Sequence, residues 1–167
     1  YQMGSSRHRF GALVTADRVH VCGKLQGARL QVFEPTAYNA GIRVFGDDAL
    51  VENCSSYQNG ACGVFVSDAA GAVIRGNEIS ENPYGMILWN CSRAIIAANR
   101  VHDNDRLGIE IDETDGAMLE GNTVQESDGQ GIGLLLYRQW YVVRQRNATG
   151  DNCNSDIIRG HGTGGGR

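Results

Sequence analysis

Gly63-Val64-Phe65-Val66, then Ala72-Val73-Ile74-Arg75, Asn77 and Glu78-Ile79-Ser80, is the stretch that decides the fold. The same order returns at Gly85-Met86-Ile87-Leu88, Ala94-Ile95-Ile96-Ala97, Asn99 and Arg100-Val101-His102. It returns once more at Gly108-Ile109-Glu110-Ile111, Ala117-Met118-Leu119-Glu120, Asn122 and Thr123-Val124-Gln125. An earlier opening, Gly41-Ile42-Arg43-Val44, and a later one, Gly131-Ile132-Gly133-Leu134, extend the series, and the five openings are 22, 22, 23 and 23 positions apart. Self-similarity at a fixed period of this size marks stacked repeats, in which no unit buries its apolar face without its neighbours.

Each unit holds three short runs that alternate with period two, so each reads as three strands. If one unit is one turn of a coil, equivalent residues stack about 4.8 Å apart and identical side chains form ladders. Asn77, Asn99 and Asn122 make one such column. A carboxamide both donates and accepts, so it satisfies buried turn amides and carbonyls beside an apolar core. A second polar column runs through Asn82, Asn104 and Ser127. In the coil that opens at Gly41, a second strand at Ala49-Leu50-Val51-Glu52 puts Cys54 in the ladder, with Asn53 one place early. A thiol reproduces only part of the amide's bonding, which predicts local loosening there.

The bulk composition agrees with this reading. At 167 residues and 41% hydrophobic content the chain supports one domain with a sizeable core. Twenty-three glycines against 2 prolines suit a strand-rich fold with many tight turns. The formal charge is -4 and no Lys/Arg run with interleaved aromatics occurs, which argues against a nucleic-acid partner. No run of 18 or more apolar residues is present, so no membrane-spanning helix is expected. The first residues lack a charged-then-apolar signal peptide, and a start at Tyr1 without Met suggests a processed product or an excised fragment. The cysteines at 22, 54, 62, 91 and 153 have no zinc-type spacing and an odd count. Cys54 and Cys62 could pair across a turn, but buried thiols are the favoured reading and the compartment stays undecided on redox grounds.

These columns and strands resemble the right-handed parallel β-helix proteins of the pectin-lyase-like superfamily, whose repeat also occurs in NosD-like and carbohydrate-active β-helix domains. The expected fold is all-β: a single-stranded right-handed parallel β-helix of about six to seven coils, with three short strands per coil and an Asn ladder. It forms one domain over residues 1–167, with the best-defined coils at 41–136. Residues 1–10 are expected to cap one end, and the Gly-rich residues 160–167 to form a flexible tail. The superfamily hosts lyases, hydrolases, epimerases and inert scaffolds. The resemblance therefore implies a polysaccharide partner and an extracellular or periplasmic location, with further coils or a partner chain at an exposed helix end. Gly46-Asp47-Asp48 and Gly160-His161-Gly162 imitate two polygalacturonase motifs, but they stand far too far apart to form one site.

Alternation assigns Ile42, Val44, Val64, Val66, Met86, Leu88, Ile109, Ile111, Ile132 and Leu134 to the interior. The outward columns are then Arg43, Phe65, Ile87, Glu110, Gly133 and Phe45, Ser67, Trp89, Asp112, Leu135. Aromatic and aliphatic side chains beside carboxylates suit a sugar, which offers an apolar ring face and hydroxyls; an overlying segment that buries the rings is the alternative. Trp89 is the stacking candidate, with Arg43, Phe65 and Asp68 as further substrate contacts. Glu110 and Asp112 are candidate catalytic acid and base, with carboxyl groups roughly 6 to 8 Å apart, close to the separation in inverting glycosidases. Asp68 with Glu113 and Asp115 could offer oxygen ligands to calcium, though no metal or cofactor is required by the pattern. His20 and His102 lie in different coils and are expected as surface or turn histidines. Two functions remain open: a polysaccharide lyase, hydrolase or uronate epimerase, or a noncatalytic binding or structural module of a larger extracellular or fibre-like protein. Short connections between strands favour the second.

Overall fold

The computed structural model of the chain describes residues 12–14, 18–26, 40–125, 132–137, 143–145, 147–150 and 155–159. In chain order the strands are β1 (Ala12–Val14), β2 (His20–Gln26), β3 (Ala40–Val44), β4 (Leu50–Tyr57), β5 (Cys62–Ser67) and β6 (Val73–Arg75). They continue with β7 (Glu78–Ser80), β8 (Tyr84–Trp89), β9 (Ile95–Ala97), β10 (Arg100–His102), β11 (Leu107–Asp112) and β12 (Met118–Glu120). The last are β13 (Thr123–Gln125), β14 (Ile132–Tyr137), β15 (Val143–Gln145), β16 (Ala148–Gly150) and β17 (Ser155–Arg159). Among the described residues no helix is long and apolar enough to cross a membrane.

Every strand pairs in parallel with its equivalent one coil away, as the repeat requires. The Gly-led strands form one seven-stranded sheet, in the order β1-β3-β5-β8-β11-β14-β17. The second and third strands of each coil form two further stacks, β4-β6-β9-β12-β15 and β4-β7-β10-β13-β16. They are joined because β4 runs unbroken from Leu50 to Tyr57 through Cys54, where later coils break at the Asn turn. The merger therefore falls at the one departure from the ladder noted in the sequence.

Side chains from the three stacks meet in a single core. Ile42, Val44, Val64, Val66, Met86, Leu88, Ile109 and Ile111 are fully buried, and they pack with Ile74, Ile79, Ile96, Val101, Leu119 and Val124. Each large aliphatic side chain buried in this way stabilises the fold by about 1.5 to 3 kcal/mol. The Asn ladder lines the corner between the second and third stacks. Asn77 Oδ1 accepts from Cys54 N at 2.9 Å, Asn99 Oδ1 from Asn77 N at 3.1 Å, Asn122 Oδ1 from Asn99 N at 3.0 Å, and Asn147 Oδ1 from Asn122 N at 3.0 Å. Each amide nitrogen donates back to a strand carbonyl: Asn77 to Val51, Asn99 to Ile74, Asn122 to Ile96 and Asn147 to Leu119. Cys54 Sγ lies 3.4 Å from Val21 O, the equivalent carbonyl, so the thiol keeps one of the amide's bonds.

A second ladder fills the next corner. Asn82 Oδ1 accepts from Asn59 N at 3.0 Å and Asn59 Nδ2 at 2.9 Å, and Asn104 Oδ1 accepts from Asn82 N at 3.2 Å. This ladder explains the glycine that opens each coil, since those glycines turn inward against it. A Cβ on Gly63 would meet Ile79 Cγ2 and lie 2.8 Å from Gly85 O and 2.9 Å from Asn82 Nδ2. A Cβ on Gly41 would lie 2.6 Å from Asn59 Nδ2. At the remaining corner Thr114 Oγ1 accepts from Cys91 N at 3.4 Å and donates to Asp112 O at 2.9 Å.

One register differs from the sequence reading. Leu134 pairs with Ile109 and Leu135 with Glu110, so Leu135 and Tyr137, rather than Gly133 and Leu135, extend the columns of Glu110 and Asp112. The ladder takes the same step, 25 positions from Asn122 to Asn147, so this coil carries two residues more than its predecessor. The expected cap at 1–10, the run at 160–167, Ser127 and His161 lie outside the described residues.

Candidate functional site

The outer face of the first sheet divides into two parts. At one end, Ala40, Cys62, Phe65 and Ile87 form a small buried cluster with Tyr84 packed against it. Phe65 and Ile87 are only 3% and 4% exposed, so the open aromatic platform expected from alternation is not present at those positions. Alternation reports which way a side chain points and says nothing of what lies over it. Arg43 belongs to this covered part, with its guanidinium carbon 4.6 Å from the Phe45 ring centre and 5.2 Å from that of Phe65. Its Nε is buried with no hydrogen-bond partner, and burial lowers its pKa from the usual arginine value.

The other part is open. Trp89 ends β8 and is 43% exposed, the large hydrophobic side chain left in water among the described residues. Asp112 is its register partner on β11 and Ser67 its partner on β5. Glu110 pairs with Ile87, so its carboxylate stands beside an apolar neighbour while Asp112 lies two residues along the same face. Burial, reinforced by the charge of Asp112, raises the Glu110 pKa above the ordinary carboxylate value. Glu110 has no hydrogen-bond or ion-pair partner among the described residues. A half-buried acid whose pKa is raised by burial and by a second carboxylate is the arrangement general acid–base chemistry uses.

Beyond Trp89 the chain turns through the left-handed region at Asp68, Asn90 and Glu113, with φ of 53°, 51° and 47°. Asn and Asp adopt this conformation at little cost, which suits two of the three positions. Asn90 Nδ2 donates to Asp68 Oδ1 at 2.8 Å. The turns enclose an open concavity of about 600 Å³ lined by Asp47, Asp68, Asn90, Ser92, Glu113 and Asp115 with Ala69, Ala70 and Cys91. The structure thus brings Asp68, Glu113 and Asp115 to one depression. Yet among the described residues no three His, Cys, Asp or Glu side chains converge closely enough to hold a metal ion. The resemblance of Gly46-Asp47-Asp48 to a catalytic motif has a structural account: Asp47 Oδ1 accepts from Ala70 N at 2.7 Å, and Asp48 lies 3.9 Å from Arg18.

Sequence reasoning missed Asn90, although its spacing from Asp68 and Glu113 follows the repeat. It also placed His102 at the surface or in a turn, whereas the structure buries it at the end of β10. His102 is 9% exposed, with Nδ1 2.7 Å from Asp103 Oδ2 and Nε2 2.8 Å from Arg100 and 3.3 Å from Glu78. Nδ1 thus faces a carboxylate, and Nε2 faces both a guanidinium and a carboxylate. His20 Nε2 lies 2.9 Å from Glu52, which Arg75 also contacts at 2.7 Å, and the hydrogen bond from Arg75 lowers the Glu52 pKa most. Both networks sit on the outer faces of the second and third stacks, away from Trp89. Cys54, Cys62 and Cys91 are buried thiols, not a disulfide, and burial pushes Cys91 up to about 11.

Parallel coils stacked in register around a single core, with three buried corner columns, define a parallel β-solenoid. Residues 26–163 match the family described as the right handed beta helix region, and the chain belongs to that family. No curated protein matches the sequence. Among solved structures, the fold is similar to full-length tailspike protein 2 from an Escherichia coli O157:H7 bacteriophage, with a TM-score of 0.64, 14% identity, and 89% of this chain and 22% of that chain covered. The enzymatically active domain of bacteriophage CBA120 tailspike protein 2 gives a TM-score of 0.60 and 14% identity, with 71% of this chain and 21% of that one covered. The periplasmic alginate epimerase AlgG, solved as a double mutant, gives 0.60 and 16% identity over 89% of this chain and 42% of that one. The chain thus spans between 21% and 42% of the length of these solved chains.

Proposed function

We propose that this β-helix interacts with a polysaccharide through the open part of its first sheet, in an extracellular or periplasmic setting. The observation that carries the reading is Trp89, exposed on a strand whose neighbour presents Asp112 and Glu110. An indole stacks on the apolar face of a pyranose, and the two carboxylates meet the hydroxyls. The alginate epimerase and the enzymatically active tailspike domain lend support by fold. In the catalytic form of this reading Glu110 donates a proton to the departing glycosidic oxygen, since its raised pKa keeps the proton available. Asp112 is then the base. Asp68 extends the contact surface from the first turn, while Arg43 and Phe65 act through the covered end, where they hold the sheet face in shape.

The shortness of the connections favours a noncatalytic module as the second reading. Only two residues lie between β5 and the bridge at Ala70, and only two between β6 and β7, so these coils build no deep cleft. A polysaccharide panel scored for retention and for released reducing or unsaturated ends separates the two. The catalytic form predicts product that disappears in Glu110→Gln/Asp112→Asn while retention persists. Unchanged turnover in that double variant would remove both residues from the mechanism.

A further inference from the structure

The charge around Trp89 restricts which glycan can lie on it. Glu110 and Asp115 have no ion-pair partner among the described residues, and Asp68 is bonded only to the neutral amide of Asn90. Among the described residues, four carboxylates and no basic side chain line the concavity beside Trp89. Arg93 follows Ser92 beside the same turns, its N–H donating to Asp115 O at 2.8 Å and its Cγ 3.8 Å from where a Cβ on Gly116 would lie. Arg43 is three rungs from Glu110, roughly 14 Å at 4.8 Å per rung, beyond a Debye length and engaged with two rings.

A sugar stacked on Trp89 would therefore have carboxylates one rung to the side and along the strand, and no basic side chain among the described residues that line the concavity. Resting on the carbohydrate reading above, we propose that this subsite takes an uncharged or amino-bearing sugar and excludes uronates. A uronate carboxylate about 7 to 8 Å from each fixed carboxylate loses about two- to threefold in affinity per charge, even in water-like surroundings. Asp68 and Asp115 together give about fivefold. An ammonium group gains by the same factor, and a neutral hexose is indifferent to it while keeping the stacking contact. The selectivity is opposite to what a polyuronate-binding groove needs, where cations face the sugar acid.

The experiment compares retention of the protein on a neutral β-glucan, on partly de-N-acetylated chitosan and on polygalacturonate, at low and moderate salt. The parent protein is expected to be retained by the glucan or the chitosan and not by polygalacturonate, with Trp89→Ala abolishing retention. In Asp68→Asn/Asp115→Asn the salt-sensitive part of chitosan retention falls about fivefold, and glucan retention is unchanged. Trp89-dependent retention on polygalacturonate as strong as on the uncharged glycan would overturn the proposal and leave the carbohydrate reading intact. Retention on none of the three would overturn both.

Discussion

Replacing Asn99 by Ala tests the reasoning behind the fold at its most exposed point. Asn99 makes four side-chain hydrogen bonds: Oδ1 accepts from Asn77 N at 3.1 Å and Asn77 Nδ2 at 2.9 Å, and Nδ2 donates to Ile74 O and Asn122 Oδ1, each at 2.9 Å. The residue is buried, so water does not replace the lost partners. Truncation strands the Asn77 N–H, one Asn77 amide hydrogen and the Ile74 carbonyl bond. At about 1 to 3 kcal/mol for each buried group left unsatisfied, and with some relaxation, the expected loss is about 3 to 5 kcal/mol. Asn147 is the last described ladder residue and only half-buried, so Asn147→Ala is expected to lose about 1 to 2 kcal/mol. Urea unfolding followed by circular dichroism measures both, with an unchanged m value showing that the same surface unfolds. Asn99→Leu should do no better than Asn99→Ala, because the deficit is in bonding and not in volume. A loss under about 1 kcal/mol for Asn99→Ala, or a larger loss at Asn147 than at Asn99, would refute the account of the ladder.

Other expectations follow from single sites. Gly63→Ala should destabilise strongly or prevent folding, because its Cβ would meet Ile79 and the backbone of Gly85, whereas Gly121→Ala, with open space and φ of 63°, should lose only about 1 to 2 kcal/mol. Burial raises the folded pKa of Glu110 above its unfolded value, so the folded state binds that proton more tightly. Its favourable contribution is complete below the unfolded pKa of about 4.3 and is lost as pH rises through the folded value. The stability of Glu110→Gln relative to the parent should therefore increase between about pH 4 and pH 7; a flat or opposite slope in thermal melts would contradict this. Trp89→Ala should leave the melting temperature nearly unchanged, since Trp89 is 43% exposed, while weakening glycan retention. Mass mapping after thiol labelling at neutral pH should find Cys62 and Cys91 protected in the folded protein, as burial keeps both protonated, with Cys91 near 11.

The ladder was legible because identical residues at a fixed spacing leave one physical explanation, a stack. Asn77, Asn99 and Asn122 needed no structure to be assigned. Asn59 escaped because the column at Asn82 and Asn104 was read forward toward Ser127, and the preceding coil lacks a break between its second and third strands. The last register slipped by two because Gly131-Ile132 has the form of a coil opening, and the two extra residues that displace it fall between Gln125 and Ile132. The direction of Phe65 and Ile87 was readable; their burial was not, since period-two alternation carries no information about what covers a face. The His102 network joins residues on adjacent coils, Glu78 and His102, through a turn aspartate. Only a correct stack brings that pairing into view. Glu110 and Asp112 were found with Trp89 because they are the carboxylates of two adjacent outward columns, and Trp89 stands one coil before Asp112 in the same column.

The register between coils makes each turn of this helix an interchangeable module. Leu107 occupies the position of Tyr84 one rung on, and Asn122 that of Asn99. Excising residues 84–106 would therefore splice Pro83 to Leu107 without changing the phase of any strand, and Asn77 would find Asn122 where Asn99 had been. The shortened chain would lose the indole of Trp89 and keep Glu110 and Asp112, now beside Phe65 and Ser67. Deletion by whole coils thus separates the indole from the carboxylates by chain surgery, with the interior left in its original order.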